Sequence, residues 1–399
     1  MSSSDQYWAL PDGISEALPD EAQRLEILRR QLIDLYSTWG YKLVIPPMVE
    51  YTESLSTGAG SNLDLQTFKI TDLQTGRMMG IRADMTPQIA RIDAHKLQTA
   101  QPNRLCYIGT VLHSRAFRQG ASRSPLQVGA ELFGHAGADS DFEVISLLLA
   151  TLDHCKVNSL TLDIGHVGIF RELAKQAGFS KKEEAQFFSM LERKALPEID
   201  QWLAAANLSS ELREMLVELP RLHGPVDILD KAEKILLHAG SAVQAALNYL
   251  KELSARIASA YPTCQLHIDL TELSGYDYHT GIVYAVYSSD CGDEIARGGR
   301  YDGVGKLFGR ERPATGFSTD LRKLSQFSDN NQEVGHNADA IFAPCADTEE
   351  LNQLIADLRD KGHTVIRQLS GSNNIQTPRD MGCNQQIIQD HNQWIVAKV

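Results

Sequence analysis

Three short strings concentrate the residue types that can hold a small polar molecule. Residues 298–303 read Gly-Gly-Arg-Tyr-Asp-Gly, residues 82–86 read Arg-Ala-Asp-Met-Thr, and residues 127–131 read Gln-Val-Gly-Ala-Glu. Together they offer two carboxylates (Asp84 and Glu131), the hydroxyl of Thr86 and the amide of Gln127, while Tyr278-His279 adds a phenol and an imidazole. Each has an ordinary reading as well. The glycines suit a turn between strands with a plain ion pair, Thr86 suits a helix N-cap before Pro87, and Glu131 suits a solvated strand residue. Gly129 and Gly134, on either side of Glu131, favour a crowded concave surface. Six cysteines (Cys106, Cys155, Cys264, Cys291, Cys345 and Cys383) are scattered without C-x-x-C spacing. Neither a zinc site nor a disulfide framework is expected, and a reducing cytoplasm fits the pattern.

The elements that must position these strings are read from periodicity. Leu25, Leu28, Leu32, Leu35 and Trp39 recur at helical spacing over 21–39, and Gly40 stops the run. Tyr41–Ile45 reads as a strand ended by Pro46-Pro47. Met78–Arg82 is a strand, and Thr86-Pro87 opens a helix with proline in its first turn. Leu105–Phe117 and Leu126–Phe133 form an antiparallel hairpin around a polar loop, 118–125. Ser140-Asp-Phe-Glu143 predicts a capping box for a helix with apolar residues Phe142, Ile145, Leu148, Leu149 and Leu152. Residues 166–261 turn helical (Ala185–Leu191, Leu212–Leu219, Ala245–Tyr261), with strand signals nearly absent. Strands return at Gln265–Leu270, Gly281–Tyr287 and Ile295–Ala296, and Phe317–Leu324 closes with a helix. A polar linker, 328–337, precedes a strand at Ala340–Ala343, a helix at Leu351–Arg359 and a strand at Thr364–Ile366.

Composition sets outer bounds. The chain has 399 residues, 43% of them apolar and 22% charged, which predicts a globular protein of two or three domains. No apolar run approaches the ~18–20 residues that span a bilayer, and the N-terminus has neither the basic start nor the apolar stretch of a signal peptide. The net charge of −13 is a poor start for binding a phosphate backbone, which takes clustered Lys and Arg.

The three strings, with Tyr278-His279, resemble the amino-acid pocket of the histidyl-tRNA synthetases, a class II family, over roughly residues 8–325. The resemblance implies an α+β fold: a class II aminoacyl-tRNA synthetase-like antiparallel sheet flanked by helices in domain 1–327, with a helical insertion at about 166–261. Residues 338–399 resemble the opening of an anticodon-binding α/β domain, truncated relative to its usual length. It also implies a histidine site. Asp84 stands where the family's glutamate holds the α-ammonium, Thr86 is preserved beside it, Gln127 borders the backbone groups, and Glu131 accepts an imidazole N–H. Tyr278 matches one of two ring-lining tyrosines; His279 replaces the other but still hydrogen-bonds. A carboxylate there selects histidine over apolar isosteres, because the wrong ligand leaves a polar group unpaired.

The positions that grip ATP in that family have changed. His113 replaces the arginine on the α-phosphate and Arg115 the neighbouring acid. Pro125 takes the adenine-stacking position, Ser274 replaces a catalytic arginine, and Lys323 replaces the third-motif arginine with Asp320 nearby. Lysine does not reproduce a planar bidentate clamp. Each loss removes roughly 10²–10³ in rate, so adenylation is not expected. Within the synthetase-like group the chain resembles the regulatory subunits of ATP phosphoribosyltransferase. That implies a short catalytic subunit as partner, histidine as effector, self-association as a synthetase-like dimer, and no binding of tRNA or membrane. The rival readings are a divergent synthetase or amino-acid ligase drawing on Arg115, Arg118 and Arg123, and a tRNA-binding starvation sensor.

Overall fold

The computed structural model describes residues 8–56, 64–116, 121–273, 275–276, 278–328, 340–370 and 377–399. Ser274, Arg118 and most of the linker fall outside them. The chain divides into two compact units, 1–328 and 329–399.

In the first unit the helix Pro19–Thr38 buries Leu25, Leu28, Leu32 and Tyr36 and ends before Gly40 at φ +82°, a conformation that costs glycine little. Strand β1 (Lys42–Leu43) is shorter than the apolar run. Val44 still donates to Cys106 O, but Pro46 and Pro47 have no N–H and end the pairing. Strands β2 (Val49–Tyr51), β3 (Phe68–Thr71) and β4 (Met78–Ile81) make a small antiparallel sheet in the order β2-β4-β3. The helix Thr86–Arg91 follows, with Pro87 in its first turn, and runs into a π-helical stretch, Ile92–Leu97. Thr86 is the first helical residue here, not an N-cap; Met85 stands before it without a side-chain cap.

Strands β5 (Asn103–Thr110) and β6 (Leu126–Phe133) form the antiparallel hairpin. β5 stops at Thr110, and Phe117, where the strand was expected to end, lies outside the described residues. Beyond it Val111 N donates to Pro125 O and His113 N to Arg123 O, while Leu112 N turns to Arg82 O, so the ladder is irregular. The next helix, Ala138–His154, starts ahead of the expected capping box. Its N-cap is Gly137, and Ser140 lies inside it, with the hydroxyl turned back to His135 O and Gly137 O.

Strand β7 (Leu160–His166) leads into helices Val167–Gln176, Lys181–Glu192, Leu196–Ala205, Ser210–Glu218, Ile228–Ile235 and Ser241–Ala260, broken only by the two-residue β8 (His223–Gly224). Strands β9 (Gln265–Asp269), β10 (Ile282–Ser288), β11 (Cys291–Arg300) and β12 (Ala314–Asp320) complete a nine-stranded sheet in the order β1-β5-β6-β12-β11-β10-β7-β9-β8. Only β1–β5 and β7–β9 are parallel in it. β12 hands over to a one-turn helix, Leu321–Leu324.

Alternation across the strands splits the core. Cys106, Val128, Ala130, Leu132 and Phe317 face the main cluster with Leu32, Leu148 and Leu250 from the helices. Leu105, Tyr107, Phe133 and Ala314 face a smaller cluster with Met85, Ile89, Tyr301 and Val304. Glu131 shares the second face.

The second unit orders its sheet β14-β13-β15-β16, from β13 (Ile341–Ala343), β14 (Val365–Arg367), β15 (Gln385–Asp390) and β16 (Gln393–Lys398). The helix Glu349–Asp360, capped by Thr348, links the parallel β13 and β14. The β15–β16 hairpin was not evident from the pattern; it turns at His391 and Asn392, both at positive φ. Among the described residues no helix is long and apolar enough to cross a membrane.

Candidate functional site

Glu131 lies in the middle of the sheet and is 1% exposed. Directly across from it stand Leu105 on β5 and Gly316 on β12, and Gly316 in turn faces Gly299 on β11. A Cβ on Gly316 would overlap Glu131 Oε2, so glycine there makes the space the carboxylate uses. Two tyrosines close on it: Tyr107 donates to Oε1 at 3.0 Å and Tyr301 to Oε2 at 2.5 Å. Tyr107 reaches across Gly129, the residue opposite it in the ladder, where a side chain would collide with its hydroxyl. Burial pushes the Glu131 carboxyl up to about 8, against the pull of Tyr301 and Tyr107. Both phenols are driven well above their ordinary range, first by burial and then by Glu131, so they stay protonated as donors.

A cavity of about 520 Å³ opens beside this carboxylate, lined by Asp84, Thr86, Glu131, Tyr278, His279 and Tyr301 among others. Tyr278 packs on Tyr301 with ring centroids 4.9 Å apart, and its own hydroxyl is buried without a hydrogen-bond partner. An orphaned buried hydroxyl costs about 1–3 kcal/mol, which a ligand with a donor or acceptor there would recover. The Thr86 hydroxyl bonds the Tyr107 hydroxyl at 3.1 Å. Asp84 Oδ1 accepts from Thr86 N at 3.1 Å and from Gln127 Nε2 at 2.7 Å, while Gln127 Oε1 accepts from Met85 N at 3.0 Å. Five of the six anticipated residues therefore line one cavity. Gln127 does not; both ends of its amide are used behind Asp84, which it holds in place.

The other two strings anchor the frame. Buried Arg82 donates to Thr110 O at 2.9 Å and Pro46 O at 2.8 Å. Arg300 pairs with fully buried Asp141 at 2.9 Å and donates to Ser140 Oγ at 2.7 Å. Gly298 and Gly299 lie within β11, so they are strand rather than turn. Sequence reasoning missed Tyr107 and Tyr301 as partners of Glu131. Alternation with Leu105 would have placed Tyr107 on that face.

The positions that differ from the ATP-gripping pattern are occupied by local structure. His113 Nε2 bonds Ala83 O at 3.0 Å, and Lys323 Nζ donates to Glu294 O at 2.5 Å. Arg123 Nε donates to His113 O and Nη1 to Asp12 O, at 3.0 and 3.1 Å. Asp320 Oδ1 caps the helix Leu321–Leu324 through Arg322 N and also accepts from Leu126 N. Arg115 is exposed. The cavity therefore has a carboxylate-and-phenol end suited to a polar ring, and the cations carried over nearby are turned to backbone.

The family described as histidyl-tRNA synthetase matches residues 13–324, and the C-terminal domain of ATP phosphoribosyltransferase subunit HisZ matches 338–397. An ATP phosphoribosyltransferase regulatory subunit of Thioalkalivibrio sulfidiphilus is 52% identical over 398 residues, all of both chains. One from Alkalilimnicola ehrlichii is 49% identical over 97% of this chain and 96% of its own. Among solved structures, an ATP phosphoribosyltransferase regulatory subunit/histidyl-tRNA synthetase from Bacillus halodurans superposes with TM-score 0.79 at 28% identity, covering 92% of this chain and 94% of that one. Histidyl-tRNA synthetase from a Nostoc species shares the fold, with TM-score 0.74 at 17% identity over 98% and 97%. This chain belongs to the ATP phosphoribosyltransferase regulatory subunits, a family built on the histidyl-tRNA synthetase fold.

Proposed function

We propose that this chain is the histidine sensor of an ATP phosphoribosyltransferase complex: it binds free histidine beside Glu131, activates a short catalytic subunit and transmits feedback inhibition to it. The observation that carries the reading is the buried Glu131 carboxylate between two phenols, facing a cavity where the Tyr278 hydroxyl has no partner. A histidine ring supplies an N–H to Glu131 and a second nitrogen to Tyr278. Asp84, braced by Gln127, takes the α-ammonium, with Thr86 and His279 completing the wall. Histidine regulates by binding two states of the complex with different affinity.

The chain does not adenylate histidine, because His113, Lys323 and Arg123 are committed to carbonyl oxygens and Arg297, which lines the cavity, is paired with Glu294; this weighs against the ligase reading. The net charge of −13 weighs against tRNA. Self-association uses the apolar strip at Leu43, Ile45 and Met48, where Ile45 is 83% exposed, and 338–399 is a relative of an anticodon-binding domain. The assembly works in the cytoplasm. The test is calorimetry with histidine alongside histidine-dependent ATP–pyrophosphate exchange on the purified chain. The expected result is saturable binding with no exchange; exchange, or no binding, overturns the reading.

A further inference from the structure

We infer that Arg171, on the helix Val167–Gln176 of the helical segment, is the positioning residue that holds the Tyr278 wall of the pocket in its ligand-binding place. The assignment rests on the histidine reading above. Arg171 Nη2 donates to two backbone oxygens that bracket Tyr278 in sequence, Tyr276 O and His279 O, each at 3.1 Å. Its guanidinium also lies 4.8 Å from the centroid of the Tyr276 ring, close enough for a cation–π attraction.

The same turn is held on its far side by a second helix. The Tyr276 hydroxyl bonds Glu184 on Lys181–Glu192, and its ring packs against Phe170 and Phe188 at 5.1 and 5.3 Å. Glu192, at the end of that helix, lines the cavity itself. The Tyr278 hydroxyl has no hydrogen-bond partner, so its placement comes from ring packing on Tyr301 and from the backbone, which Arg171 clamps and which Tyr278 N ties to Gly275 O. A hydrogen bond weakens steeply with misalignment, and a small drift of this turn would forfeit the contact to the ring. Arg171 touches no ligand; it acts through Tyr278. The helical segment thereby becomes part of the binding apparatus.

The experiment is a double-mutant cycle on the full chain, read as histidine affinity by calorimetry. Arg171→Met keeps length and loses the donors, and Tyr278→Phe loses only the hydroxyl. Each single change should weaken binding about tenfold, the worth of one hydrogen bond in a desolvated site. Because both act on one contact, the double variant should also lose about tenfold. Arg171→Lys, which retains a cation with several donors, should fall between wild type and Arg171→Met. A merely structural Arg171 gives a different pattern. The melting temperature drops while affinity holds, or the losses multiply to about a hundredfold; either result overturns the assignment. If Arg171→Met does not fold, the cycle of Arg171→Lys with Tyr278→Phe decides by the same criterion. A wild-type chain that binds no histidine is a distinct outcome: it overturns the pocket reading, and this assignment with it.

Discussion

Glu131→Gln removes a buried titratable group while keeping the shape of the side chain, and the structure sets opposite consequences for stability and binding. Burial lifts the carboxyl from its usual 4.5 to about 8. For an acid raised on folding, the stability it allows is fully present below 4.5 and lost as pH climbs toward 8, levelling off above. The gap between those two values amounts to a loss of about 3–4 kcal/mol between pH 5 and pH 8. Glutamine has no proton to lose. Its oxygen can accept from one of Tyr107 and Tyr301 while its N–H₂ donates to the hydroxyl oxygen of the other. Urea unfolding of both proteins at pH 5, 6, 7 and 8 measures the difference. The variant should gain on the wild type as pH rises, by about the amount just given. Parallel stability curves would refute the claim that Glu131 is held protonated by its surroundings. A bound imidazole favours the ionised carboxylate, which makes their hydrogen bond charge-assisted, so the same substitution should weaken histidine about ten- to a hundredfold, roughly 1.5–3 kcal/mol. Unchanged affinity would place the ligand elsewhere.

Gly316→Ala puts a methyl group where Glu131 Oε2 lies, so it should abolish measurable histidine binding while the far-UV circular dichroism stays folded; retained binding would mean the carboxylate is not the ring's partner. Arg300→Met strands the fully buried Asp141 without its cation and should cost about 3–5 kcal/mol in denaturant unfolding. Arg193→Met breaks an exposed pair with Glu198 and should cost under about 1 kcal/mol; equal losses from the two would contradict this division between frame and surface.

The strands of the candidate site were legible from alternation, whereas its residues were marked by their resemblance to the synthetase pocket rather than by pattern. β6 runs over the residues its pattern marked, and Asp84, Thr86, Glu131, Tyr278 and His279 meet in one cavity. What stayed hidden depends on contacts between distant parts of the chain. Ser140 has the local signature of a capping box, yet Arg300, 160 residues away, claims its hydroxyl, and the helix starts earlier on Gly137. Gln127 was expected to border the ligand directly; the contacts that only folding reveals are those of its amide with Asp84 and Met85. Gly298-Gly299 carries a turn signature, but packing against Gly316 and His279 keeps both in the strand. The β15–β16 hairpin escaped because its turn uses His391 and Asn392 at positive φ, and histidine there is a weak turn signal.

The most direct test of a sensor is feedback in the assembled complex. Asp84→Ala removes the partner of the ligand's ammonium group without touching the catalytic chain, and Gln127, which loses Asp84, keeps its bond from Met85 N. The measurement is phosphoribosyl transfer to ATP by the short catalytic subunit with either version of this chain, titrated with histidine. Loss of one charge-assisted contact, about 1.5–3 kcal/mol, should raise the half-inhibitory histidine concentration about ten- to a hundredfold. Linkage requires the same substitution to shrink the effect of histidine on assembly, whose usual range is ~5–150-fold. A complex carrying Asp84→Ala that is inhibited by histidine at the wild-type concentration would contradict the account and move the sensor to the catalytic chain.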